Sequence, residues 1–353
     1  MTSAHVPDHV EVPAPSIEEV SAGIFGYVQL DGSWGLNNTG FIVGADSVLV
    51  VDTCFTERRS RWFREAVERT AGRSLTQSGF AGHPSPAAAG EGRTGSAGRP
   101  SPAGAGEGRR IRTLVNTHHH GDHTHGNWVF ADTATIVGHE KCRDEVIAAG
   151  HSTTGLFPGV EWGEIRITPP EVTFEERLTL WVDDPDGHGL RVELIYMGPA
   201  HTTNDIVAWI PDRKVLFSGD LVFNGGTPFA MMGSVAGWLE AVERMKALGA
   251  ETIVPGHGRV CGPEAFGEQE AYLRWLQELA KKGFEAGAGP LEVAREADLG
   301  GFAELLDPER LVGNLHRAYS ELRGEKRGTP LALGAVMPEM IAYNGGQMPR
   351  CLA

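Results

Sequence analysis

Short apolar runs and stretches of helical spacing alternate along most of the chain. "GFIVGADSVLVVDT" (40–53) predicts two strands joined by a turn at Gly44 to Asp46. "TERRSRWFREAVERTAG" (56–72) carries apolar residues at helical spacing and stops at glycine. "IRTLVNT" (111–117) and "TATIVGH" (133–139) predict buried strands, each leading into a helical segment. "LRVELIYMG", "DIVAWIP" and "KVLFSGD" predict successive strands, with "PDRK" (211–214) as the turn between the last two. "SVAGWLEAVERMKALG" (234–249) predicts a helix with Ser234 as N-cap and Gly249 as stop. "ETIVPGHG" (251–258) is a strand running into a histidine flanked by glycines. From about Gly262 the spacing is helical, while residues 328–353 hold too much Gly and Pro to assign. Strand pairs too closely spaced for crossovers, mixed with helices, predict an α/β fold of stacked sheets flanked by helices.

Residues 74–110 break this pattern. "AGHPSPAAAGEGR" (81–93) returns as "AGRPSPAGAGEGR" (97–109), rich in Gly, Pro and Ala with little to bury. Such a stretch cannot offset its ordering entropy, so a disordered surface insertion is expected. The expected organisation is a main unit over 1–261 and a helical extension over 262–353.

The chain has 353 residues, 41% of them apolar, enough for a substantial core. A formal net charge of −15 disfavours nucleic acid as a partner. No uninterrupted apolar run of membrane-spanning length occurs, so no membrane association is expected. The start, "MTSAHVPDHVEVPAPS", has no basic region followed by an apolar stretch, and a cytoplasmic location is the expectation. Cys54, Cys142, Cys261 and Cys351 lie far apart and are expected to be free thiols.

"NTHHHGDHTHGN" (116–127) concentrates the candidate chemistry in the spacing H-x-H-x-D-H. On an extended loop, His118 and His120 point the same way and reach one ion, while His119 faces elsewhere. Gly121 is expected to let the backbone turn sharply, swinging Asp122 and His123 toward a second ion. Imidazole with carboxylate suits zinc. Two ions need more ligands, and His201 in "GPAHTTND", Asp220 in "LFSGDLVF" and His257 in "VPGHG" stand at expected strand ends.

These motifs, in this order, resemble the metallo-β-lactamase superfamily over roughly residues 20–260. The resemblance implies an αββα sandwich with a C-terminal helical extension and two zinc ions at one edge between the sheets. Matched position by position, it implies that His118, His120 and His201 bind one zinc. Asp122, His123 and His257 would bind the other, Asp220 would bridge them, and Asp52 in "VLVVDT" would steady the metal loop without ligating. Aspartate at position 220, in place of cysteine, makes the pattern similar to glyoxalase II and lactonases. The implied activity is hydrolysis of an activated acyl bond (thioester, lactone, lactam or ester) of a small molecule, with Asp122 handling the proton of the attacking water. Two alternatives stay open: a mononuclear non-haem iron persulfide dioxygenase using His118, His120 and Asp220, and a metal-dependent tailoring or cyclisation enzyme.

Outside the matched set, His125 and Asn204 are secondary candidates for contact with substrate and oxyanion. His119, His139, His151, His188 and His316 are expected to be structural or exposed. "NGGTPFAMMGS" (224–234) is expected to form a flexible apolar wall, and Tyr272, Arg274, Trp275 and Tyr319 to pack against the core.

Overall fold

The computed structural model describes residues 13–73, 109–184 and 187–353. The tandem repeat up to its last residue, nearly all of the expected insertion, and residues 1–12 of the N-terminal stretch quoted above lie outside the described residues.

Strands fall into two sheets. The first runs β1 (Ser16–Ser21), β2 (Ile24–Val28), β3 (Thr39–Val43), β4 (Ser47–Val51), β5 (Arg110–Val115), β6 (Thr135–His139), β7 (Val172–Phe174), in chain order. Pairing is antiparallel up to β4 and parallel from β4 to β7. The second holds β8 (Arg177–Val182), β9 (Leu190–Gly198), β10 (Asp205–Ile210), β11 (Val215–Asn224) and β12 (Thr252–Gly258) in the order β12-β11-β10-β9-β8. Only β11 and β12 pair in parallel there, bridged by α5 (Val235–Leu248).

Three apolar layers hold the sandwich together. Between the sheets, Ile42, Leu49 and Val51 meet Leu194, Ile206 and Phe217. Outside the first sheet, Phe41 and Val50 pack on Phe63 and Val67 of α1 (Glu57–Arg73) and on Phe130 of α3 (Asn127–Phe130). Outside the second, Val207 and Leu216 share a cluster with Trp238 of α5, Leu273 of α6 (Glu264–Ala286) and Leu315 of α8 (Arg310–Leu322). Each fully buried side chain of this size contributes roughly 1.5–3 kcal/mol. The result is an αββα sandwich with further C-terminal helices, α7 (Pro290–Glu296) and α9 (Leu333–Tyr343), as the resemblance implied. Ser234 caps α5 by accepting from the Gly237 N–H, and Gly249 ends it at φ 75°. Residues 328–353, unassigned from sequence, include α9 with Pro338 inside it, buried through Val336 and Met340. No helix among the described residues is long and apolar enough to cross a membrane.

Candidate metal centre

One edge of the sandwich gathers every matched residue. β4 delivers Asp52, β5 leads into the loop of His118 and His120, and the short helix α2 (Gly121–Thr124) carries Asp122 and His123. His201 follows β9. His257 is the next-to-last residue of β12, at the strand end the sequence suggested, whereas Asp220 lies in the middle of β11 and not at its end. The β11–β12 register breaks on either side of Gly219, and this irregularity turns Asp220 out of the ladder.

Two ligand groups result: His118, His120, His201 and Asp220, and Asp122, His123 and His257. His201 Nε2 stands 2.9 Å from His120 Nδ1 and 3.3 Å from Asp220 Oδ2. His257 Nε2 lies 3.4 Å from both Asp122 Oδ2 and Asp220 Oδ2. His123 Nε2 is 3.0 Å from Asp220 Oδ1, so the two oxygens of Asp220 face both groups.

Outward ring nitrogens are spoken for. His123 Nδ1 meets Asp52 at 2.9 Å, and His118 Nδ1 meets the Thr117 hydroxyl at 3.1 Å. His257 Nδ1 donates to the Gly32 carbonyl at 3.0 Å, and His201 Nδ1 to that of Phe229. Such bonds fix the tautomer, leaving the inward nitrogen with a lone pair to offer. Asp52 also accepts from the Thr117 N–H and hydroxyl, each at 2.7 Å, tying the metal loop to β4.

Buried His118 Nε2, His123 Nε2 and Asp220 Oδ1 make no hydrogen bond among the described residues. A buried polar atom without a partner is costly, and cations are the partner this donor set fits. Charge points the same way. Burial pushes His118 and His120 well below the usual histidine range and His201 down to about 4. Burial would also depress His257, but the Asp220 and Asp122 carboxylates lift it to about 9. His123 is also held well above the usual histidine range, burial being outweighed by Asp220, Asp52 and Asp122. The carboxylates call for positive charge, and a divalent ion supplies it while displacing the ring protons.

Two glycines explain themselves by space. A Cβ on Gly256 would stand 1.9 Å from Asp220 Oδ1, so only glycine leaves room for that carboxylate. A Cβ on Gly121 would meet the His125 ring at 2.5 Å. Close approach of that ring, not a left-handed backbone, is what requires glycine at 121.

His125 stacks on Phe55 at 5.5 Å between centroids and is buried, away from both ligand groups. Asn204 Nδ2 donates to His119 Nδ1 at 2.9 Å, and His119 joins neither group. His139 accepts from the Lys141 N–H at the start of α4 (Glu140–Ala149), His316 pairs with Glu339 at 2.8 Å, and His151 and His188 are exposed. Tyr272 and Tyr319 are buried, Trp275 packs beside Phe302, and Arg274 pairs with Glu270 on the surface.

A cleft opens onto the centre, and both Asp122 and Asp220 line it. Its aromatic wall joins Trp34 to Phe229 at 5.1 Å and to Phe157 at 5.9 Å. Met231, Met232, Leu333 and Met337 add to the lining, so residues 224–234 do supply an apolar wall. That wall is pinned, not loose. α8 presents Arg310, Asn314 and Arg317 on one stripe. Arg310 donates to the Thr227 carbonyl, Arg317 to that of Met231, and Asn314 both donates to Pro228 and accepts from the Ala230 N–H. Sequence reasoning missed these contacts because their partners are main-chain atoms.

A family model described as "Metallo-beta-lactamase superfamily" matches residues 32–257. Among curated proteins, the chain is 26% identical over 258 residues to the 2,4-dinitroanisole O-demethylase subunit alpha of Nocardioides sp., covering 72% of this chain and 61% of that one. It is 32% identical over 149 residues to a hydroxyacylglutathione hydrolase of Methylococcus capsulatus, covering 41% and 47%. These matches therefore span about half to three fifths of the relatives' own length. A metallo-β-lactamase from Pontibacter korlensis superposes with a TM-score of 0.52 at 17% identity, covering 74% of this chain and 99% of the other.

Proposed function

The chain belongs to the metallo-β-lactamase superfamily, and from that premise we propose that it is a hydrolase holding two zinc ions and cleaving an activated acyl bond of a small molecule. The observation that carries this reading is the pair of ligand groups meeting at Asp220, whose Oδ2 lies 3.3 Å from His201 and 3.4 Å from His257 and whose Oδ1 lies 3.0 Å from His123. When bound, a zinc pair supplies Lewis acidity, bringing the pKa of water to about 7 and polarising a carbonyl.

The chain's own residues supply position and proton handling. Asp122 is the more open carboxylate, with its side chain 15% exposed against 4% for Asp220, so it is placed to orient the attacking water and take its proton. His118, His123, His201 and His257 are held as inward-facing lone pairs by fixed outer partners. Apolar side chains line most of the cleft, so a bound substrate that displaces water from it would strengthen the electrostatic contacts at the centre.

The second ligand group, and His201 in the first, favour this reading over a single iron on His118, His120 and Asp220. The name of the Nocardioides relative gives an aromatic methyl ether as that protein's substrate, so aryl ethers belong beside thioesters, lactones, lactams and esters in the assay panel. Metal analysis of protein purified without added metal should return about two zinc equivalents per chain, with turnover of at least one acyl substrate. Asp122→Asn should abolish that turnover. Iron in the preparation, with oxygen uptake on a persulfide, would replace this reading with the dioxygenase.

A further inference from the structure

The charge of the cleft narrows its substrate. Apart from the candidate ligands, Arg310 is the one charged side chain among the described residues lining it. Arg310 is 2% exposed and already committed. Its guanidinium lies 2.8 Å from Asp307 Oδ2, donates to the Thr227 carbonyl at 3.0 Å, and sits over the Trp34 ring at 4.1 Å and the Phe223 ring at 5.2 Å. Glu309, also buried, accepts from Trp34 Nε1 at 2.7 Å. Asp307 thus balances the one guanidinium on this wall, and beyond the candidate metal ligands no unpaired cationic side chain among the described residues lines the cleft. An anionic group lodged against this wall, away from the candidate metal ligands, would lose its hydration without gaining an unpaired charged partner.

The remaining surface is apolar and of a particular kind. Trp34, Phe157 and Phe229 meet at tilted or edge-on angles, leaving ring faces and edges for an aromatic guest. Met231, Met232 and Met337 are unbranched and polarizable, suited to shaping around flat rings. Phe223 lies parallel to the ring of His257, with 4° between planes and 5.1 Å between centroids, and so joins the apolar wall to the metal centre.

We infer that the cleft takes an uncharged substrate whose aromatic or bulky apolar group lodges among these side chains, with its reactive bond directed at Asp122 and Asp220. The inference rests on the hydrolase reading of the same centre and selects within it. Acyl compounds carrying a carboxylate or phosphate on the group that lodges against this wall, remote from the reactive bond, are excluded as good substrates.

Equilibrium dialysis with two unreactive ketones of matched shape tests it: 2-acetylnaphthalene, and 6-acetyl-2-naphthoate, which is anionic at pH 7.5. The zinc-loaded protein is expected to bind the neutral ketone at least tenfold more tightly. Leu333→Lys, at an exposed position on the cleft wall, and Met337→Lys should each shift that ratio about tenfold toward the anion. Equal or tighter binding of the naphthoate by the unmodified protein would overturn the inference. Matched naphthyl esters, assayed in parallel, separate the two readings. Neutral binding preference without hydrolysis of any ester would sink the hydrolase and keep the cleft's selectivity. Faster hydrolysis of the anionic ester would do the reverse.

Discussion

Replacing Asp52 by asparagine changes one oxygen for an NH₂ group, yet the expected effect falls on a metal site that Asp52 does not enter. Asp52 accepts from the Thr117 N–H and hydroxyl and faces His123 Nδ1. Its backbone sits at φ 60°, a left-handed conformation asparagine tolerates, so the exchange leaves the main chain undisturbed. The asparagine carbonyl still accepts from Thr117, but the amide then presents a donor to His123 Nδ1. His123 must take the other tautomer and carry its proton on Nε2, 3.0 Å from Asp220 Oδ1 and where the ion should bind. Disturbing such an orienting partner costs about 10–100-fold in metal affinity, which is about 1.4–2.8 kcal/mol. Loss of a hydrogen bond to a charged group should lower the stability of the metal-free protein by about 1.5–3 kcal/mol. Competition against a chromophoric chelator measures the first quantity, and urea unfolding the second. We expect one zinc equivalent to weaken selectively while the other is retained. Unchanged affinity for both equivalents would show that Asp52 does not set the His123 tautomer, and the orienting argument would fail.

Other expectations are independent of that one. Chelation should lower the melting temperature, because His118 Nε2, His123 Nε2 and Asp220 Oδ1, which make no hydrogen bond among the described residues, lose their cation; restoring zinc to about 1,000 times its Kd should return about 4 kcal/mol, read from thermal melts. Asn314→Leu should cost about 2–5 kcal/mol in urea unfolding, since it strands the buried Pro228 carbonyl and Ala230 N–H. Burial pushes the Cys54, Cys261 and Cys351 thiols up to about 12, so they stay protonated at pH 8 and lose thiolate only as pH falls from above that value. Iodoacetamide should therefore modify them roughly a thousandfold more slowly in the native protein than after unfolding, as mass spectrometry would show. Gly256→Ala should displace the Asp220 carboxylate and abolish stoichiometric metal binding, with circular dichroism retained.

How much of this could be read in advance depended on whether a function sits in a side chain or in the main chain. The seven candidate ligands were legible because imidazole and carboxylate at H-x-H-x-D-H spacing are chemically distinctive, and the structure brings all seven to one edge. The carbonyls of Gly32 and Phe229, which orient His257 and His201, were invisible because every residue has a carbonyl. The position of Asp220 inside β11 was missed for a related reason: a break in register against β12 leaves no mark in composition. Helices α5 and α6 announced themselves by apolar spacing, whereas α9 was hidden by Pro338 and its glycines and forms because Val336 and Met340 are buried. On α8, nothing in the sequence sets Arg310, Asn314 and Arg317 apart from other polar helix positions, because the main-chain groups they hold are brought to them only by the fold.

Phe229 meets two neighbours with two different parts of itself. Its carbonyl oxygen accepts a hydrogen bond from His201 Nδ1, while its ring belongs to the cleft beside Trp34. Exchanging the ring for another apolar group would reshape what the protein accepts and leave the grip on His201 untouched, since the carbonyl is common to every amino acid. Selectivity at this residue is therefore free to drift without the catalyst being rebuilt.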